Sequence, residues 1–202
     1  MTEREPTLRV EVLEGAALQP RLGELGALRV AVFREFPYLY DGTLEYEKKY
    51  LEIYARCPRA LVVLAWDGQD CVGASTVIPL RDAPEDMQRP FVQAHIELDG
   101  IDYFGESVVA KAYRGRGLGL RFFEEREAHA RRHGLDRCVF CAVDRPATHP
   151  LRPPGYVPND AFWRKRGYVQ VPELSTSLSW LDLGEPAETA KPMIFWSKRL
   201  ES

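Results

Sequence analysis

Long apolar runs, an excess of basic charge and a cysteine framework are all missing from this chain of 202 residues. Without an uninterrupted apolar stretch of about 18 to 20 residues, nothing in it reads as a membrane-spanning helix. The opening MTEREPTLRV lacks the basic-then-apolar order of a secretory leader, so a cytoplasmic protein with no membrane partner is expected. A formal net charge of −3 speaks against a protein that coats nucleic acid, because such proteins carry a broad basic surface. The four cysteines, Cys57, Cys71, Cys138 and Cys141, are too few and too scattered for a disulfide scaffold. Cys138 and Cys141 do form a C-x-x-C, but within the apolar run RCVFCAV. Residues three apart on a strand face opposite ways, so both read as small buried hydrophobes and not as a chelate. No His/Cys/Asp cluster shows metal-ligand spacing, so no metal is expected, and His95, His129 and His133 read as surface or lid residues. Repeats, low-complexity tracts and linkers are also lacking, and the length fits one α+β domain over residues 1–202.

What is present alternates between strand and helix patterns. TLRVEVLEG reads as a first strand over Leu8 to Leu13. Leu22, Leu25, Leu28, Val32 and Phe33 fall at helical spacing, predicting a helix that ends near Phe36-Pro37. Leu44, Tyr46, Tyr50, Leu51 and Tyr54 predict a second helix. Two apolar runs around Asp67-Gly68 make a hairpin. APEDMQRPFVQAHIELDGI, broken by two prolines, predicts a short helix or lid, and DYFGESVVAKAY a strand. A helix carrying Leu118, Phe122, Phe123 and Ala130 should stop at His133-Gly134, followed by a strand in DRCVFCAVDRP. The proline-rich ATHPLRPPGYVPND is long for a connection inside a compact domain, which points to function. Asn159 is placed to cap a short helix, DAFWRKR, closed by Gly167, and LSTSLSWLDL and KPMIFWSKRL read as the last strands. PMIFWSKRL is apolar on both faces, as either a homodimer contact or a central strand would be.

The chemistry concentrates in AYRGRGLGLRFFEE. Gly115, Gly117 and Gly119 give G-x-G-x-G, which misses the G-x-G-x-x-G of dinucleotide sites, and no lysine-hydroxyl pair follows as a phosphate-binding Walker loop requires. A disordered RGG-type segment would be repeated, whereas this one is single and runs into a helix. A strand, a glycine loop and an exposed helix N-terminus suit a pyrophosphate: glycines allow close backbone approach, and the free N–H groups carry partial positive charge.

Arg114-Gly115-Arg116-Gly117-Leu118-Gly119, following a strand and preceded by Tyr113, resembles the [Q/R]-x-x-G-x-[G/A] signature of the GNAT N-acetyltransferase superfamily. DAFWRKRGYV is similar to that family's second landmark, a short helix followed by a Gly-aromatic step. The resemblance runs from about Leu8 to Tyr168. It implies a central, mixed, mostly antiparallel splayed sheet flanked by helices, with acetyl-CoA as acyl donor and a small-molecule or peptide amine as acceptor. It also implies that Arg114, Gly115, Arg116, Gly117, Leu118 and Gly119 hold the pyrophosphate. Ser107, Val109 and Lys111 would lie along the pantetheine arm, with the Val109 amide aimed at the thioester oxygen.

Glu106, on the strand before the loop, is the candidate base, although an ordinary structural ion pair would also explain it. His149 is a second base candidate because histidine titrates near neutral pH. The tyrosine that the family uses as general acid falls on Trp163 here, and an indole cannot protonate a thiolate. Tyr156 is the substitute considered, and a CoA-binding module without turnover is the alternative function. The acceptor wall is expected from Phe36, Tyr38 and Tyr40 on one side and Arg145 and Arg152 on the other, the arginines suiting a carboxylate or phosphate on the acceptor.

Overall fold

A computed structural model describes residues 8–201; the opening stretch MTEREPTLRV falls mostly on residues 1–7, outside the described part. The element order is β1 (Arg9–Glu14), α1 (Leu22–Phe33), α2 (Leu44–Arg56), β2 (Leu61–Asp67), β3 (Asp70–Pro79), α3 (Glu85–Gln93), β4 (Ile101–Tyr103), β5 (Ser107–Val109), α4 (Leu118–Arg132), β6 (Arg137–Val143), α5 (Asp160–Lys165), β7 (Val169–Trp180) and β8 (Thr189–Arg199). The strands form one eight-stranded sheet in the order β1-β2-β3-β4-β6-β8-β7, with β5 pairing β3. Only β4 and β6 are parallel, and α4 makes the crossover between them.

The sheet is covered on both faces, so β2 is apolar and buried from Leu61 to Trp66 instead of alternating. Its Val62, Leu64 and Trp66 pack with Leu22, Leu25 and Leu28 of α1, Leu51 and Tyr54 of α2, and Met87 and Phe91 of α3. Its Leu61, Val63 and Ala65 pack on the opposite face with Leu118, Phe122 and Phe123 of α4, against which Phe162 and Trp163 of α5 also sit. The same logic settles the two-faced apolarity of PMIFWSKRL. β8 lies inside the sheet between β6 and β7, and that position accounts for it without a dimer.

Three sequence expectations shift. The helix expected to reach Phe36-Pro37 ends at Phe33, where the chain turns back and the Tyr40 amide donates to the Phe33 carbonyl. Asn159 does precede α5, but its side chain makes no capping bond. DYFGESVVAKAY is not one strand but two. β4 pairs β3 in the register Tyr103–Ile78, whereas β5 pairs it in the register Ser107–Ser75. Residues 104–106 therefore oppose only Thr76 and Val77, a bulge of one extra residue.

That bulge opens the sheet. The Phe104 amide donates to the Val139 carbonyl at 2.8 Å, and beyond it β5 stays with β3 while Phe140–Val143 stay with β8. The bulge is held by Thr76: its amide donates to the Glu106 carbonyl at 3.0 Å, and its hydroxyl accepts from the Glu106 amide at 3.2 Å. The Ser75 hydroxyl adds a bond to the Glu106 carbonyl at 2.9 Å.

Gly105 sits where nothing larger fits. A Cβ there would lie 1.9 Å from Tyr54 Oη and 2.6 Å from Thr76 Oγ1, both in a packed core. Gly105→Ala should cost about 1–3 kcal/mol of stability by overpacking. Adding Tyr54→Phe should recover part of that loss, because it removes the nearest atom. Denaturant unfolding of the single and double variants checks this, and full independence of the two changes would contradict it.

Candidate functional site

The splay between β5 and β6 is the floor of a cavity of about 820 Å³, walled by α4 and α5 on one side and by residues 32–38 and 143–158 on the other. In the antiparallel ladder the Ala110 amide donates to Val72 and the Thr76 amide to Glu106, so the even-numbered residues of β5 face β3. By alternation the N–H groups of Ser107 and Val109 point into the gap, unpaired. At the mouth, Gly115 and Gly117 have φ of +78° and +84°, the left-handed region where glycine is at ease. Gly117 is the N-cap of α4 and no side chain caps that helix end, so its first amides are free for an anion.

Of the loop's cations, Arg114 is committed. Its guanidinium pairs with both Glu35 oxygens at 2.8 and 3.0 Å, and its Nε donates to the Val109 carbonyl at 3.0 Å. Arg116 lies over the Tyr113 ring at 5.0 Å, and Tyr113 Oη donates to Asp67 at 2.7 Å. Lys111 and Arg116 are exposed and do not line the cavity, whereas Ser107, Val109, Arg114, Gly115, Gly117, Leu118 and Gly119 do.

Glu106 lines the cavity from the bulge and is buried. Its Oε2 accepts from Arg29 Nη1 of α1 at 2.5 Å, and Arg29 Nε bonds Glu47 of α2, which is also buried. Arg29 further stacks on the rings of Phe33 and Tyr50 at 4.9 and 4.7 Å. The second oxygens, Glu106 Oε1 and Glu47 Oε1, are buried without partners. Burial pushes the Glu106 carboxyl above the ordinary carboxylate range despite the opposing pull of Arg29. Glu106 thus makes the structural ion pair and is also a buried carboxyl of raised proton affinity.

On the acceptor side, Phe36, Tyr38, Arg145, Arg152 and Tyr156 line the cavity. Phe36 packs edge-on against Tyr156 with ring centroids 4.7 Å apart, and the Arg152 guanidinium covers Tyr156 at 4.9 Å. Among the described residues Arg152 makes no ion pair; its Nη2 donates to the Tyr156 carbonyl at 3.3 Å and the side chain lines the cavity. Arg145 is different: it donates to the Pro37 and Tyr38 carbonyls and to Asp182, each at 2.9 Å. Those bonds occupy the guanidinium in tying the 36–40 turn down, which removes the ground for reading it as an acceptor contact. Tyr40 is also outside the cavity lining; it sits beside Glu47 and bridges to Asp182 through its backbone. His149 packs at 5.7 Å from Phe36 and its Nδ1 accepts the Leu151 amide, so it too stands behind the lining. Trp163 lines the cavity and packs edge-on with Phe140 and Trp196 at 5.0 and 5.1 Å.

His129 is not a surface residue. It is fully buried, with Nδ1 at 2.7 Å from Asp102 Oδ2 and Nε2 at 2.8 Å from the Arg59 carbonyl. Each ring nitrogen thus has an oxygen partner inside the core. His133 and Glu14 approach His129 to within 4.8 Å, an arrangement the linear spacing hid. With both His129 nitrogens engaged and Glu14 paired with Arg132 at 2.7 Å, the trio offers few free ligand atoms. The sequence reading also passed over Arg29, Glu47, Glu35 and Arg126. Polar residues on amphipathic helices carry no signal of burial until the helices are docked.

A sequence model of the Acetyltransferase (GNAT) family matches residues 27–152, and the chain belongs to that family. No curated protein matches it in sequence. Among solved structures it is similar to a ribosomal-protein-alanine N-acetyltransferase from Brucella melitensis, with TM-score 0.59, 17% identity, and 94% of this chain and 99% of that one covered. A GNAT-family acetyltransferase from Streptococcus pneumoniae gives TM-score 0.58, 18% identity, and 95% and 100% coverage. The yncA protein of Salmonella typhimurium, solved with its cofactor acetyl-CoA, gives 0.57, 12%, and 97% and 95%.

Hydrogen bonds from Arg145 and Lys191 hold the Asp182 carboxyl below its ordinary value, although burial opposes them. Its stabilising contribution is therefore whole above about pH 4 and fades as pH falls through the lowered folded value. Asp182→Asn should flatten that acid dependence, and Arg145→Ala should cost about 2–3 kcal/mol through the bonds left unmade. Urea melts between pH 2 and 7 read both. A stable Arg145→Ala protein with only a raised acceptor KM would restore Arg145 as an acceptor contact.

Proposed function

We propose that this protein is an acetyl-CoA-dependent N-acetyltransferase that moves an acetyl group directly to a primary amine of a small molecule or peptide. The observation that carries this reading is the set of inward N–H groups at Ser107 and Val109, lying between an uncapped glycine loop and a buried carboxyl. The loop fits a pyrophosphate: a Cβ at Gly115 or Gly117 would meet no protein atom within 4 Å, leaving open space over the free amides of α4. Arg114 contributes through its backbone while its side chain holds Glu35, and Lys111 and Arg116 lend charge from outside. The thioester supplies the activated acyl group when bound. Nothing observed distinguishes the acceptor beyond an aromatic wall that carries the Arg152 guanidinium.

In this reading the Val109 amide donates to the carbonyl oxygen and stabilises the charge that develops there, while the Ser107 amide is the next inward donor along the strand. Glu106 takes the proton of the acceptor ammonium at Oε1, directly or through one water, and its raised proton affinity suits it to the task. Tyr156 Oη supplies the proton to the departing sulfur. Burial raises its pKa, which keeps it protonated at neutral pH. Trp163, packed among Phe140 and Trp196, shapes the wall and transfers no proton. That departure from the family tyrosine supports the alternative of a CoA-binding module without turnover.

Release of free CoA thiol over a panel of amines tests the reading, with CoA binding by calorimetry alongside. Gly117→Val should remove both, because φ of +84° strains a β-branched residue and its side chain would fill the phosphate space. Binding without transfer to any amine would favour the silent module; absence of both would sink the proposal.

Glu106→Gln should lower kcat by about 10²- to 10⁴-fold with CoA affinity kept. In the wild type, kcat/KM should rise with pH over a limb above the ordinary glutamate value of about 4.3, because the free carboxylate is the active form. The variant should lack that limb.

A further inference from the structure

Arg126 has no assigned partner and no structural task that accounts for its charge. It lies two turns into α4, is 2% exposed, and lines the cavity. Its guanidinium is stacked between Phe104 of the bulge at 4.2 Å and Phe123 at 4.7 Å. Its one hydrogen bond within the described protein runs from Nε to the Phe122 carbonyl of its own helix, at 3.1 Å. Burial depresses its pKa to about 10, which still leaves it cationic at neutral pH. A buried guanidinium is costly to keep unless something anionic or carbonyl-like meets it.

The acidic groups around it do not serve. Glu127 gives both oxygens to Lys198 at 2.8 and 2.9 Å and accepts from Tyr168 at 3.2 Å. Glu106 turns to Arg29 on the α1 face of the sheet, while Phe104 carries Arg126 on the α4 face, and among the described residues no carboxylate oxygen comes within 4.0 Å of it. The Nη groups thus face the cavity with no protein acceptor. Position along the helix tells which part of a ligand they would meet. Arg126 is eight residues past Leu118, about 12 Å along the axis from the phosphate-binding end. A molecule anchored there by its phosphates and running along β5 presents its reacting end, not its phosphates, at that depth.

We propose that Arg126 binds a carboxylate at the inner end of the cavity, so that one of the two reacting partners is itself an acid. The acyl group of the donor is the favoured source, because Arg126 lies on the α4 side, where the phosphate loop also lies, and not on the wall of Phe36, Arg152 and Tyr156. The donor would then be the mono-thioester of a short dicarboxylic acid, preferred over acetyl-CoA. The other source is an acceptor amine carrying a carboxylate. Either way the planar guanidinium offers a two-point contact that a lysine reproduces only in part. This inference rests on the CoA-thioester site of the reading above and, where the donor is the source, revises only the acyl group that the thioester carries.

Calorimetry with free CoA, acetyl-CoA and succinyl-CoA on the wild type, Arg126→Leu and Arg126→Lys tests it. The wild type should prefer succinyl-CoA over acetyl-CoA by about tenfold to a hundredfold, Arg126→Leu should erase that preference, and Arg126→Lys should keep part of it. Free CoA should bind all three equally, which certifies that the variants are folded. In a second arm the donor is held at acetyl-CoA, and turnover of β-alanine is compared with that of propylamine. A KM raised in Arg126→Leu for β-alanine alone identifies the acceptor as the source of the carboxylate. CoA binding with no effect of Arg126 in either arm overturns this inference and leaves the acyltransferase reading standing. No CoA species bound by the wild type overturns both.

Discussion

One surplus residue between Tyr103 and Ser107 governs this molecule. β3 must accommodate β4 and β5 in registers that differ by one, and the three residues at the step cannot all join its ladder. The chain resolves the mismatch by bending β5 away from β6, and that bend creates the cavity. It also turns two backbone amides toward the gap and delivers Glu106 to the opposite face from Phe104. Gly105 is required at the step because Tyr54 and Thr76 crowd it. Cavity, amide donors and carboxyl are therefore consequences of a single misregister.

The bulge would be a weak point if left to its backbone bonds alone, and a buried charge cluster fixes it to the helices. Arg29 reaches from α1 to Glu106 on the strand and Glu47 on α2, so three elements distant in sequence meet at one guanidinium. Removing that arginine would leave two carboxylates facing each other in a dry core, a loss of about 3–5 kcal/mol for such pairs. The charge count matters as much as the cohesion. One guanidinium serves two buried carboxylates, and one oxygen of each is left without a partner. Burial selects a high proton affinity at Glu106. A structural tie and the acid–base group of the proposed mechanism are here the same contact.

The local half of the site was legible in the chain and the non-local half was not. RGRGLG encodes its own conformation, since two of its glycines take positive φ and the helix follows at once, so spacing alone separated it from other phosphate loops. The central strand, the hairpin at Asp67-Gly68 and most helices followed from periodicity in the same way. The bulge was invisible because alternation counts residues along one strand, whereas a bulge is a mismatch between two. Arg145 looked like a ligand contact because a loop arginine carries no mark of its partners; those lie in a turn 108 residues earlier and in Asp182. His129 looked solvent-facing because Asp102 and the Arg59 carbonyl reach it only when α4 docks on the sheet.

The two halves meet at the exposed pair of Arg114 and Glu35. Glu35 lies two residues past the end of α1, on the segment that becomes the acceptor wall, while Arg114 opens the phosphate loop. An exposed ion pair, even with two-point geometry, contributes about 0–1 kcal/mol, too little to hold the wall in place. Arg145 and Asp182 do that from beneath, with side chains about one-tenth exposed. The wall is thus held firmly at its base and lightly at its rim, beside the glycine loop. Under the proposed function that division lets the rim yield to an entering anion while Phe36, Tyr38 and Tyr156 keep their positions.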